Sequence, residues 1–222
     1  GERLNVQDFL EGIPGRNVAA LNAGFDRRLL ARRGATAVLK MMLEDGFFHA
    51  DPHQGNVFYL PDNRLGFIDF GMVGRLPEQR RYEVAELLHG LVDRNAGMVA
   101  GVLLGWSSDT EGDDAALRDE IERFVDEYHG VPLKQLDFGA MLADMVGILR
   151  EHGLALPPDL ALMFKAFITL EGLGSQLDPD FDIAAEAAPF LKQVLVAHHS
   201  PEALARRGWS ALTSAVDLLA GL

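Results

Sequence analysis

The chain of 222 residues carries 20 Lys and Arg against 33 Asp and Glu, a formal net charge of −13, with 48% hydrophobic residues and a mean hydropathy of +0.05. Such a chain is an ordered globular protein, one large domain or two small ones, with enough apolar residues for a sizeable core; it lacks the basic field of a general nucleic-acid binder. Cysteine is absent, which excludes disulfides, thiolate catalysis and Cys-based zinc sites and suits a reducing cytoplasm, and no apolar run reaches the roughly 18 residues of a membrane span.

Gly rather than Met comes first, so the chain is expected to be processed or cut from something longer. Leu4-Asn5-Val6-Gln7-Asp8-Phe9-Leu10 has the character of a short strand, broken by Glu11-Gly12-Ile13-Pro14-Gly15. Phe25 to Leu43 follows helical periodicity, with Leu29, Leu30, Val38, Leu39, Met42 and Leu43 available to one face. On the same stretch, Arg27, Arg28, Arg32, Arg33 and Lys40 form a dense basic cluster, read as a solvated helix face with lipid-headgroup contact as the sharper alternative. Gly46 breaks the helix, and Phe47-Phe48 leads into a polar loop. Val57-Phe58-Tyr59-Leu60 and Leu65-Gly66-Phe67-Ile68 then supply two strands, with Pro61-Asp62-Asn63-Arg64 as their turn. Pro77-Glu78 opens a helix through Arg94. Further helices are predicted over Ala96 to Leu104, Ala115 to Tyr128, Phe138 to His152, Pro158 to Gly172, Ile183 to Ala197 and Glu202 to Leu219, punctuated by Gly, Pro and Asp. Met141, Met145 and Met163 fall at helical spacing as core filler. The last helix, with Trp209, Leu212 and Val216, is amphipathic and is read as packing on the domain, with membrane contact as the alternative.

The polar loop carries the chemistry. It reads His49-Ala50-Asp51-Pro52-His53-Gln54-Gly55-Asn56, and the second strand runs into Asp69-Phe70-Gly71. An Asp followed by an Asn, and then by Asp-Phe-Gly across a hairpin, is the spacing of a kinase catalytic loop and its metal-binding loop. The hairpin brings Asn56, at the entry of one strand, towards Asp69, at the exit of its partner. One carboxylate is then aimed at a nucleophile while an amide oxygen and a second carboxylate grip Mg²⁺ on a nucleotide's phosphates. After Gly71 there is neither the length of an activation segment nor its Ala-Pro-Glu ending. Ala50 stands where regulated protein kinases carry an Arg that pairs with a phosphorylated loop, so phospho-switching and peptide docking both lack their parts. A metal hydrolase built on His49-x-Asp51-x-His53 is the competing reading, but alternate residues share a face only on an extended strand, and Pro52 makes one awkward there.

On Gly46 to Asn56, Leu65 to Gly74, Leu177-Asp178-Pro179 and Leu10-Glu11-Gly12-Ile13-Pro14, the chain resembles the UbiB/AarF/ADCK atypical kinase-like family. Gln54 departs from the Pro of many members. The family's amino-terminal-lobe features, a Lys-x-Gly-Gln motif, an Ala-rich loop and a Lys–Glu pair, are not recognisable. The resemblance implies an α+β, mostly helical fold, a protein-kinase-like C-lobe with a small β-hairpin at the catalytic site. Residues 1–15 would be an interlobe linker or hinge strand and 16–222 the lobe with a family-specific helical extension. It implies Asp51 as the group that orients or deprotonates the attacking hydroxyl or water, and Asn56 and Asp69 as Mg²⁺ ligands. Nucleotide contacts would come from Asp8 and Leu10, whose backbone would meet the adenine edge if this is the strand joining two lobes rather than an ordinary edge strand. His53 would contribute as well, approaching the γ-phosphate or capping the loop, while His49 is expected to pack beneath the Asp-Phe-Gly turn.

The implied function is Mg-ATP binding with ATP hydrolysis or small-molecule phosphotransfer in isoprenoid quinone (ubiquinone) biosynthesis. The alternative is a non-catalytic nucleotide- or lipid-binding scaffold of a membrane-associated complex. Expected partners are ATP, lipid or a quinone precursor, a membrane surface and other quinone-biosynthesis proteins, without nucleic acid, and the expected location is cytoplasmic, peripheral to the inner membrane. A lone carboxy-terminal lobe is expected to bind ATP weakly or undetectably, since a nucleotide normally sits between two lobes.

Overall fold

The computed structural model describes residues 9–21, 24–106, 114–129, 138–198 and 200. Seven helices and two small antiparallel sheets make up the described residues. The first helix, α1 (Arg27–Leu39), starts at Asp26, whose side chain accepts the Leu29 N–H at 3.0 Å and satisfies one of the donors that every helix start leaves open. It buries Leu30, Ala31, Ala35, Val38 and Leu39 and continues as a π-helical turn, Lys40–Glu44, to Gly46. Gly46 has φ +65, and an added Cβ would lie 2.5 Å from the Leu76 carbonyl oxygen, so no other residue fits this corner.

Beyond the corner lie β2 (Phe47–His49), the polar loop, and the hairpin β3 (Val57–Leu60) with β4 (Arg64–Phe67). Val57 faces Phe67 and Leu60 faces Arg64, one residue earlier on the second strand than the sequence pattern suggests. The hairpin turn places Asp62 and Asn63 in the left-handed region at φ 61 and 55, which Asp and Asn tolerate better than most residues. Three strands lie where none is predicted, β2 among them. β1 (Ile13–Pro14) pairs with β3, and β5 (Val73–Arg75) pairs with β2. The predicted strand from Leu4 lies mostly outside the described residues, and Phe9 and Leu10 are not in a strand. It is the stretch read as its breaker that joins the sheet, because β1 sits on an edge, where Pro is tolerated.

The remaining helices are α2 (Glu78–Val92), α3 (Ala96–Gly105), α4 (Asp114–Tyr128), α5 (Phe138–Glu151), α6 (Pro158–Leu177) and α7 (Ile183–His198). The predicted helix from Glu202 to Leu219 lies outside the described residues. α6 runs a turn past its predicted end at Gly172. Gly174 is needed there, since a Cβ on it would come 2.2 Å from the Phe181 ring, and this close packing outweighs the low helix propensity of glycine. Phe48, Val84, Leu103, Ile121, Met145, Met163 and Leu170 belong to one continuous core, and each such fully buried side chain is worth roughly 1.5–3 kcal/mol. Met141 packs there too, as the spacing of the methionines predicts. A second, smaller core under the hairpin joins Leu30, Val57, Tyr59, Leu173 and Leu177. So α1 and α6 hold the sheet from below, and the polar loop lies where the two sheets meet.

The basic residues from Arg27 to Lys40 are exposed, as a solvated helix face predicts, and they also make contacts within the molecule. Arg28 pairs with Asp178 and Asp180 and Arg32 with Glu186, while Lys40 pairs with Glu44 and Asp45, which raise its pKa. Arg27 donates to the Val18 carbonyl and Arg33 to the carbonyls of Asp62 and Asn63. The cluster is therefore a set of clamps between α1, the hairpin turn and the α6–α7 corner. No helix among the described residues is long and apolar enough to cross a membrane.

Candidate functional site

The loop from Asp51 to Asn56 is held at both ends by the main chain. Ala50 N–H donates to the Met72 carbonyl at 3.0 Å, Asn56 N–H to the His53 carbonyl at 2.8 Å, and Ile68 N–H to the Asn56 carbonyl at 2.9 Å. This last bond extends the hairpin one rung beyond Val57 and Phe67. It sets the Asn56 main chain beside Ile68, the residue that precedes Asp69.

Asn56 is buried, 7% exposed, and its Nδ2 donates to the Asp51 carbonyl at 3.1 Å. Its amide orientation is thereby fixed, with Oδ1 left for another partner. Asp69 is exposed and left-handed at φ 58, and its Oδ1 accepts the Gly71 N–H at 3.3 Å. Asp51 is half-buried; Lys165 Nζ lies 3.2 Å from its Oδ1 and His53 Nε2 3.9 Å from its Oδ2. His53 is exposed, and its Nδ1 accepts the Gly55 N–H at 2.9 Å, which caps the loop. Leu10 is half-buried against the hairpin: a Cβ on Gly66 would lie 2.8 Å from its Cδ1. Asp8 lies outside the described residues.

His49 is fully buried beneath this loop. Its Nδ1 accepts the Asp51 N–H at 3.1 Å and its Nε2 lies 2.9 Å from the Ile68 carbonyl, with the Phe70 ring 5.0 Å away. One nitrogen must accept and the other donate, so the ring is neutral with its proton on Nε2. Both nitrogens are engaged, and the His-x-Asp-x-His alternation does not bring three ligand atoms to one point. Among the described residues no group of three or more His, Cys, Asp or Glu could hold a metal. The oxygens of Asn56 and Asp69 suit a different kind of ion, Mg²⁺, which takes one or two protein ligands and fills its shell with water and phosphate.

Lys165, on α6, is the residue that the sequence reading missed. It stands far along the chain within an apolar helical pattern, and no local motif marks it.

Residues 1–103 match the family model of the ABC1 atypical kinase-like domain, and residues 121–182 that of the UbiB helical domain. The chain belongs to the ABC1/UbiB atypical kinase-like family. A probable protein kinase UbiB of Xylella fastidiosa is 32% identical over 212 residues, covering 90% of this chain and 38% of that protein. An uncharacterized protein of Synechocystis is 34% identical over 192 residues, covering 85% of this chain and 33% of its own length. The chain thus spans little more than a third of the UbiB relative. Among solved structures, that of Rv3197 with erythromycin from Mycobacterium tuberculosis superposes with a TM-score of 0.53 at 21% identity, covering 83% of this chain and 49% of that one. This likeness, together with the small sheets and many helices, establishes a kinase-like α+β fold. At the coarse level of its family the chain is a kinase-like domain of UbiB type. The match to the helical-domain model includes Lys165, so the ion pair with Asp51 joins the two matched regions.

Proposed function

We propose that this chain carries the phosphoryl-transfer half of a UbiB-type site that binds Mg-ATP and either hydrolyses it or passes the γ-phosphoryl group to a small molecule. The observations that support the reading are the Ile68 N–H to Asn56 carbonyl bond, which brings the main chain of Asn56 next to the residue before Asp69, and the Asn56 Nδ2 bond to the Asp51 carbonyl. Asn56 Oδ1 and the Asp69 carboxylate would hold Mg²⁺, which neutralises charge on the phosphates and polarises them when bound. The Asp51 carboxylate accepts the proton of the attacking hydroxyl or water. As that oxygen bonds to the γ-phosphorus, the bond from phosphorus to the bridging oxygen breaks and ADP leaves. His49 holds the Asp51 main chain and Asn56 its carbonyl, so the carboxylate is presented from a fixed backbone.

The acceptor is not a docked peptide, since β5 leads directly into α2 where a peptide-ordering segment would stand. From the resemblance to UbiB, the proposed setting is isoprenoid quinone biosynthesis at a membrane surface, with lipid or a quinone precursor as the acceptor class. Leu10 and, before it, Asp8 are proposed to border the adenine. The test is phosphate release from Mg-ATP by the complete protein, with and without lipid and a quinone-precursor mimic. Asp69→Asn is expected to abolish release while leaving the circular dichroism spectrum intact; unchanged release defeats the assignment. No heat on titration with Mg-ATP points instead to a scaffold.

A further inference from the structure

In the protein-kinase catalytic loop the Asp lies within a short run of residues that meets the phosphates. Here the loop itself supplies no Lys or Arg between Asp51 and Asn56. The ammonium group comes from α6. Lys165 Nζ lies 3.2 Å from Asp51 Oδ1 and 3.8 Å from the Met72 sulfur, next to the Asp-Phe-Gly turn. It thereby reaches both loops that form the site. Among the described residues no other Lys or Arg makes an ion pair with Asp51 or Asp69.

Stability does not account for this contact. The Lys165 side chain is 47% exposed, and ion pairs so open to water contribute little to folding. Geometry supplies a different reason. A base lies about 2.6–3.2 Å from the atom whose proton it takes, and reacting atoms approach to about 3–3.5 Å, so a flexible ammonium touching Asp51 is within a side-chain swing of the transferring group. Charge there is spread over three equatorial phosphoryl oxygens, and fixed cations aimed at it are a main source of rate.

We propose that Lys165 is the phosphoryl-facing cation of this site: it positions the Asp51 carboxylate before reaction and neutralises the γ-phosphoryl oxygens as the group passes to the acceptor. It stays protonated throughout, the acceptor's proton going to Asp51. This rests on the reading of the site as an Mg-ATP site.

The test uses the complete protein as wild type, Lys165→Met and Lys165→Arg. Each is measured for kcat and KM in phosphate release from Mg-ATP, and for affinity towards Mg-ADP with and without aluminium fluoride, a mimic of the group in transfer. Lys165→Met is expected to lower kcat about 100-fold, with KM for ATP changing less than about threefold. It is also expected to keep Mg-ADP affinity while losing the tightening that aluminium fluoride brings, and Lys165→Arg, which keeps the charge, to recover part of both. Turnover by Lys165→Met at or above the wild-type rate overturns the assignment, and so does a loss confined to KM; either leaves the Mg-ATP reading standing. A wild type that neither binds Mg-ATP nor releases phosphate overturns both.

Discussion

His49 Nδ1 accepts the main-chain N–H of Asp51 at 3.1 Å, and the far side of the same ring reaches the Ile68 carbonyl at 2.9 Å. One buried side chain thus ties the loop from Asp51 to Asn56 to the end of the hairpin that leads into Asp69. His49→Phe keeps an aromatic ring, somewhat larger, and orphans both main-chain groups. Each orphaned buried group costs about 1–3 kcal/mol, so the variant is expected to unfold at lower urea, by about 2–6 kcal/mol in all. A midpoint within error of the wild type shows that water or a shifted backbone replaces the ring.

Much of this arrangement was legible in the residues. Asn56 and Asp69 flank two apolar runs joined by Pro61-Asp62-Asn63-Arg64, and strand pairing turns that spacing into proximity with little room for another outcome. The β2–β5 pair was not legible, because three residues are too few to show alternation, and Gly74 in β5 is matched to Phe48 by close packing: a Cβ there would lie 2.2 Å from the Phe48 ring. Lys165 was hidden for another reason. A contact between a helix and a loop far apart in sequence is set by how α6 lies over the core, which no local pattern encodes. The charge from Arg27 to Lys40 was legible as an exposed face but its partners were not, since a run of Arg looks the same in sequence whether it meets solvent alone, lipid or the carbonyls of a distant turn.

Those carbonyls give a contrast to measure. Both side chains are exposed, but Arg33 donates to the carbonyls of Asp62 and Asn63 at 2.8 and 2.7 Å, both in the left-handed region, whereas Arg32 meets a single carboxylate at 3.1 Å. Arg33→Ala is expected to cost about 1–2 kcal/mol, since two charge-assisted bonds to a strained turn are lost. Arg32→Ala is expected to cost under about 1 kcal/mol and less still at high salt. Equal costs in thermal unfolding defeat the distinction between clamp and surface pair.

Tyr59 on β3 is fully buried in the small core, and its hydroxyl has no hydrogen-bond partner among the described residues. Burial pushes its pKa up to about 12, with Arg27 opposing in part. The unfolded tyrosine ionises near 10, below the folded one, so the neutral buried form contributes its full stability below about pH 10. That contribution is lost as pH rises from about 10 to 12, where the unfolded chain sheds the proton first. Tyr59→Phe is expected to raise stability at neutral pH by about 1 kcal/mol, through removal of an unsatisfied buried polar atom. It is also expected to flatten the fall between those pH values in urea titrations. Destabilisation by Tyr59→Phe at pH 7 shows that the hydroxyl has a partner.

Ala50 precedes Asp51 at the place where regulated protein kinases carry an arginine. Its side chain is fully buried among the main core residues, and its N–H is committed to the Met72 carbonyl. An arginine here has no route to solvent that leaves β2 and the loop in place, so it cannot wait for a phosphate as it does in those enzymes. Ala50→Arg is therefore expected to destabilise the fold by at least about 3 kcal/mol, from overpacking and an unpaired buried charge. Phosphate or a phosphopeptide is expected not to restore it. A stable Ala50→Arg variant that binds phosphate would mean that the loop can open outward, and that freedom from phospho-control lies in the short path from β5 to α2 alone.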